Sequence, residues 1–294
     1  MISWADEAKT IAALAERQLF FIGGAPRSGT TWLQMLLDGH PEICCRGEGL
    51  FSESLAKPLD GMVAARREAL EAKNRAVFGE AGGGYPLPGA DDAAILLGTA
   101  VLLALRSQRP DDRCRAIGEK TPENVFLFPR LKRLFPSARF IGIARDPRDV
   151  LTSAWHFFAK KMAKGDEAKA MSAFLRAAIP SIHQGAQNFL ALQKQMPESC
   201  LLMTYEQMHA DTASAATRLF QFLGVGCDPA VVADCVKKTS FSALSGRPPT
   251  ATGHAASFFR KGVVGDWRTT LTPELNALIL EQLGWMFPHF GWTP

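Results

Sequence analysis

Short apolar runs, each stopped by glycine or a polar turn and followed by helical spacing, recur along the first two-thirds of the chain. Residues 11–19 have the spacing of the end of an N-terminal helix, and Phe20-Phe21-Ile22 then forms a buried-strand run that Gly23-Gly24 stops. Apolar positions return at Trp32, Leu33, Met35, Leu36 and Leu37, which predicts a helix over 31–37. Strand, tight polar loop and helix together open a parallel α/β unit. The unit recurs as a helix closing over 131–135, an apolar strand at 139–144 and a helix from Asp149 onward. A third strand is predicted at 200–204, with an amphipathic helix around 217–222.

No internal repeat interrupts this order. Segments 79–90 and 245–257 carry too much Gly and Pro for a regular element and are expected to be mobile loops. Neither divides the chain. The pattern therefore predicts one α/β domain over 1–294, a central parallel sheet flanked by helices, with insertions.

Composition narrows the functions available. With 294 residues, 47% of them hydrophobic and 21% charged, the chain has enough apolar material for a core and is not disordered over most of its length. A net charge of 33 − 29 = +4 is too mild for a protein that coats nucleic acid, so no nucleic-acid partner is expected. It allows one concentrated basic pocket for an anionic ligand. The longest apolar stretch, 93–105, is interrupted by Gly98 and Thr99 and falls short of the roughly 20 residues a membrane span needs. Met1 to Glu7 lacks a basic stretch leading into an apolar core, so no secretory signal is expected. Six cysteines, two adjacent at Cys44-Cys45 and none in Cys-x-x-Cys spacing, point to reduced thiols in a cytoplasmic protein with no zinc site.

The first loop carries the chemistry. Gly24-Ala-Pro-Arg27-Ser28-Gly29-Thr30-Thr31 lies between the first strand and its helix, where backbone N–H groups and the helix dipole converge on an anion. Its Gly-x-x-x-x-Gly spacing matches the nucleoside-triphosphate loop, but Thr30 stands where that loop has Lys, and the cation is Arg27. This argues against Mg²⁺-dependent ATP hydrolysis and for another phosphate-bearing donor.

Pro26-Arg27-Ser28-Gly29-Thr30-Thr31-Trp32 resembles the 5′-phosphosulfate loop of the sulfotransferases that use 3′-phosphoadenosine 5′-phosphosulfate (PAPS). Arg145-Asp-Pro-Arg148-Asp149, followed by Ser153, resembles that family's 3′-phosphate segment, in which an Arg at a strand end and a Ser on the next helix grip the phosphate. Phe259-Arg260-Lys261-Gly262-Val-Val-Gly265-Asp266-Trp267 resembles the family's C-terminal segment that closes over the same phosphate. Trp32 is similar to the adenine-stacking Trp, Tyr205 to the adenine-edge Tyr, and Thr239 and Phe241 to the pair that touches adenosine. The resemblance spans Phe20 to Trp267 as ordered anchors; about 51–118 and 158–201 match nothing. It implies a P-loop NTPase-like sulfotransferase fold with PAPS as donor, adenosine 3′,5′-bisphosphate (PAP) as product and no metal.

Sulfuryl transfer requires an acceptor aligned for in-line attack, a base for its proton and cations for the developing charge. Arg27 and Lys120 are the candidates for charge; Lys120, in Gly118-Glu119-Lys120-Thr121-Pro122, resembles the family's catalytic Lys. Many cytosolic members read Lys-Thr-His there with His as base, but here Pro122 replaces it. The segment His40-Pro41-Glu42 to Gly47-Glu48 is similar to a branch, including the tyrosylprotein sulfotransferases, that uses a Glu after the first helix. Glu48 is therefore the expected base, with Glu119 as the alternative; His156 and His254 rank below them. The acceptor is a hydroxyl, secondarily an amine, of a small molecule, glycan or peptide. Segments 79–90 and 157–170 are candidate rims, and a homodimer is compatible with these features. The competing readings are a P-loop kinase for small molecules and a nucleotide-binding protein without catalysis.

Overall fold

The computed structural model describes residues 3–79, 84–89, 91–246 and 262–294. Phe259, Arg260, Lys261 and His254, with most of segment 245–257, lie outside the described residues. In chain order the elements are α1 (Trp4–Ala15), β1 (Gln18–Gly24), α2 (Thr30–Asp38), β2 (Ile43–Cys45), α3 (Lys57–Phe78), α4 (Asp92–Ser107) and β3 (Ala116–Lys120). They continue with α5 (Phe128–Leu134), β4 (Arg139–Ala144), α6 (Pro147–Ala154), α7 (Glu167–Gln195) and β5 (Cys200–Thr204). The chain closes with α8 (Tyr205–Ala210), α9 (Thr212–Leu223), α10 (Pro229–Lys238), α11 (Phe241–Ser245), α12 (Pro273–Leu283) and α13 (Met286–Phe290).

The strands form one parallel sheet of five in the order β2-β3-β1-β4-β5. Alternation along the strands divides the core into two layers. Phe21, Ile117 and Phe140 face one side and pack with Phe51, Val101, Phe128 and Phe189. Phe20, Ile22, Ile141 and Ile143 face the other, against Leu33, Leu36, Leu219 and Phe220. A third cluster joins α6, α7 and α12 through Leu151, Leu175 and Ile279. Register aligns Ile22 with Lys120 on one side and with Ile141 on the other, and Ala144 with Thr204. The carboxyl ends of β1, β3, β4 and β5 therefore share one edge. Strand order reverses about β1 there, the position where open α/β sheets leave a crevice for a ligand.

The predicted strands at 139–144 and 200–204 are β4 and β5 as drawn. β1 begins earlier than its apolar run, at Gln18, because Gln18 already pairs with Ala116. α6 begins at Pro147 rather than Asp149, with Asp146 accepting the Arg148 amide as its cap. β2 and β3 were not predicted. β3 carries Glu119 and Lys120, both about 2% exposed, and two buried charges hide a strand from an apolarity count.

The apolar run at 93–105 lies in α4, which buries Leu97, Val101, Leu102 and Leu105 and leaves Ile95 and Leu103 exposed. No helix among the described residues is long and apolar enough to cross a membrane. Residues 84–89 form no regular element; Asn74 brackets Tyr85 with two hydrogen bonds and Arg67 donates to the Pro88 carbonyl (2.6 Å). All six cysteines are free thiols.

Candidate active site

β1 delivers the chain into a loop that only particular residues can close. Arg27 has φ 74° and Gly29 φ 101°, both in the left-handed region. At Gly29 a Cβ would sit 2.7 Å from the Tyr205 ring, so glycine is required by conformation and by space. The first helical bond of α2 runs from the Leu33 amide to the Gly29 carbonyl (3.0 Å). The N–H groups of Thr30, Thr31 and Trp32 precede it and form the anion-facing end of the helix. The Ser28 amide is used within the loop, donating to Ala25 (3.0 Å). Its side chain is fully buried beside Gly24, and Ser28 is absent from the cavity wall that Arg27, Gly29, Thr30, Thr31 and Trp32 help to form.

That cavity has a volume of about 950 Å³. Two groups of side chains meet in it beside the loop. The first gathers Trp32, Arg145, Tyr205, Thr239, Phe241 and Gly262. Trp32 donates to the Thr239 carbonyl (3.0 Å) and meets the Tyr205 ring edge-on at 5.4 Å. The Arg145 guanidinium lies 4.2 Å from the Tyr205 ring centre and donates to the carbonyls of Arg27 (3.4 Å) and Val263 (2.8 Å). Burial pushes the Tyr205 phenol up, which keeps it a neutral O–H donor. Gly262, at φ 64°, packs against the Phe241 ring where a Cβ would collide. The Thr239 hydroxyl is occupied with the Cys235 carbonyl (2.8 Å), so its side chain closes α10 while the residue lines the cavity.

Buried Asp149 ties this group to the C-terminal segment. It accepts the amides of Gly265 (2.7 Å) and Trp267 (3.1 Å) and lies 3.6 Å from Arg145. Arg148, also buried, pairs with Asp146 and stacks 3.9 Å from the Trp267 ring centre. Arg27 bridges the two groups. Its Nε donates to Ser153 Oγ (3.2 Å) and its guanidinium lies 4.5 Å from the Phe157 ring centre.

The second group is built on the end of β3. Lys120 Nζ contacts Glu48 Oε1 and Thr31 Oγ1 (3.2 Å). The Lys120 side chain is 2% exposed and that of Glu48 45%, so a buried cation presents a carboxylate to the cavity. Glu119, one residue earlier, faces elsewhere. It is enclosed by donors from the Gly49 amide, the Thr121 hydroxyl and Asn124 Nδ2, and burial pushes its carboxyl up. It does not line the cavity. Leu50, Pro122, Glu123, Phe157 and Phe158 complete this half.

Of the sequence-derived site residues that are described, Arg27, Gly29, Thr30, Thr31, Trp32, Glu48, Arg145, Ser153, Tyr205, Thr239, Phe241 and Gly262 line this cavity, whereas Ser28 backs it and the lower-ranked bases Glu119 and His156 are not among its lining residues. Lys120 reaches the site through Thr31 and Glu48. Of the candidate rims, Phe157 and Phe158 line it, whereas none of residues 84–89 does. Leu50, Glu123, His209 and Thr212 were missed; they come from turns and helix ends that carry no motif. Asp149 was visible only as a helix-start acid, and its N–H partners are 116 or more residues away.

A phosphorylated nucleotide fits this donor set. Arg145 Nε is buried with no hydrogen-bond partner among the described residues, in an arginine that is also beside the loop and an aromatic pair. Among the described residues no group of three His, Cys, Asp or Glu is arranged to hold a metal ion.

The family model described as the sulfotransferase domain matches residues 17–282, and the chain belongs to that family. Among curated relatives, it is 34% identical over 187 residues to 3-beta-hydroxysteroid sulfotransferase of Cavia porcellus, covering 57% of this chain and 64% of that one. It is 30% identical over 175 residues to sulfotransferase 1A1 of Bos taurus, covering 54% and 58%. The chain thus spans about half to just under two-thirds of the curated relatives it matches. Among solved structures, mouse sulfotransferase SULT7A1 complexed with PAP shares the fold at a TM-score of 0.58 and 19% identity, over 97% of this chain and 91% of that one. The sulfotransferase domain of the Synechococcus PCC 7002 olefin synthase does so at 0.54 and 18%, over 92% and 94%.

Proposed function

We propose that the protein transfers the sulfuryl group of PAPS to a hydroxyl, secondarily an amine, of a small-molecule, glycan or peptide acceptor and releases PAP. The observation that carries this reading is the contact of Glu48 with Lys120, and of Lys120 with Thr31 of the phosphate loop. A proton acceptor and a cation thereby stand beside the loop that takes the donor's anionic end.

The donor supplies a sulfuryl group already activated by its bond to phosphate, and the chain supplies position and charge. The loop amides and Arg27 orient the anionic end, while Arg145 and Ser153 take the second phosphate, with Trp32, Tyr205 and Phe241 around the base. Glu48 takes the acceptor proton, and Lys120 stabilises charge on the bridging oxygen. Exposed Leu50, Phe157 and Phe158 favour an acceptor with an apolar surface beside its nucleophile.

Incubation with PAPS and a panel of phenols, alcohols, amines, glycans and tyrosyl peptides tests the reading. Acceptor-dependent release of PAP without added metal is the expected result. Mg²⁺-dependent phosphorylation from ATP would establish the kinase reading instead. Tight PAP binding with no turnover across the panel would favour a nucleotide-binding protein without catalysis.

A further inference from the structure

Lys120 and Glu119 are neighbours on β3, yet their side chains engage the same short segment from two sides. Lys120 holds the Glu48 side chain. Glu119 Oε1 accepts the amide of Gly49, the residue directly after it, together with the Thr121 hydroxyl. Because Thr121 spends its proton on Glu119, its oxygen is left to accept the Leu50 amide (3.1 Å). Asn124 Nδ2 fixes the second carboxylate oxygen (2.6 Å) and is itself tied to the Ile22 carbonyl on β1 (3.2 Å).

The segment needs such anchoring. Gly47 has φ 80° and Leu50 φ 50°, so two left-handed residues flank Glu48 and Gly49, and local backbone preference does not favour this path. At its start, the Arg46 amide donates to Gln108 Oε1 (2.7 Å), whose Nε2 returns to the Gly118 carbonyl (2.9 Å). Both ends of the turn are therefore clamped to β3 or to the helix beside it.

We propose that Glu119 is a positioning residue for the base. It holds the Gly49–Leu50 backbone so that the Glu48 carboxylate stands against Lys120 and the acceptor. This inference rests on Glu48 being the base. Three donors converge on the Glu119 carboxylate and it is about 2% exposed, so it has no path to an acceptor proton. Its influence passes through the backbone of the turn.

The test is a double-mutant cycle on turnover, with PAP affinity and thermal unfolding measured alongside. Glu119→Ala should lower kcat about 10- to 100-fold, the cost of a misplaced reacting group, while PAP affinity stays within about twofold. Glu119→Gln keeps an oxygen for Gly49 and Thr121 and should recover most of that loss. Thr121→Val, which removes the Leu50 acceptor and one of the three donors to Glu119 but leaves the Glu119–Gly49 bond, should lower kcat in the same direction. Glu48→Gln should be slow alone, and adding Glu119→Ala to it should cost nothing further.

Additive losses in the double variant would overturn the proposal, as would a Glu119→Ala enzyme with unchanged kcat. If Glu119→Ala unfolds, the Thr121→Val and Glu119→Gln arms decide: unchanged kcat in Thr121→Val or no recovery in Glu119→Gln overturns it. Full activity in Glu48→Gln would instead defeat the reading of Glu48 as base, and the positioning role with it. Slow Glu48→Gln with additive losses defeats the positioning role alone.

Discussion

Arg145 serves several partners at once, buried Asp149 among them. It supports the phosphate loop at the Arg27 carbonyl, holds the C-terminal segment at Val263 and stacks on Tyr205, leaving a buried Nε–H to be satisfied. A charge-assisted bond to phosphate at that position is worth about 1.5–3 kcal/mol. Arg145→Ala should therefore weaken PAP binding about 10- to 100-fold in calorimetric titration. Arg145→Lys should not restore it, since an ammonium cannot stack and fork as a guanidinium does. Unchanged affinity would remove Arg145 from the donor site. Residues of this kind were legible in the sequence because each sits in a motif whose chemistry is carried by the side chain itself. Glu123, His209 and Thr212 were not, since they reach the cavity only through the fold.

At the scale of elements, the phosphate loop is set by backbone conformation more than by side chains. Gly29 caps α2 at φ 101°, directly against the Tyr205 ring that begins α8. Gly29→Ala would have to move either the loop or Tyr205. It should cost about 1–3 kcal/mol in denaturant unfolding, and PAP binding should be lost with it. A variant with wild-type stability and affinity would show that the loop does not need this geometry.

The same scale shows why some strands could be read and others could not. β4 and β5 are buried on both faces and read as continuous apolar runs. β3 ends in Glu119 and Lys120, whose burial is tolerable only because partners from residues 31, 48, 49, 121 and 124 surround them. Those partners are invisible to a local pattern. β2 is three residues long and leaves too little periodicity to detect.

Across the whole molecule, the sheet brings residues far apart in sequence to one edge. Arg27 follows β1, Lys120 ends β3, Arg145 follows β4 and Tyr205 follows β5; three of them line one cavity and Lys120 reaches it through Thr31. The net charge of +4 is small, so it is this convergence rather than overall charge that makes the site basic. In the proposed reaction, the contacts from Thr31 to Lys120 to Glu48 join donor and acceptor chemistry. On the proposed mechanism the acceptor proton leaves at this junction. Single-turnover transfer from saturating PAPS, compared between the protein and Glu48→Gln, measures that directly. The rate should be at least about 100-fold lower in the variant, as expected for a lost general base, with PAP affinity unchanged. Equal rates in the two proteins would contradict it.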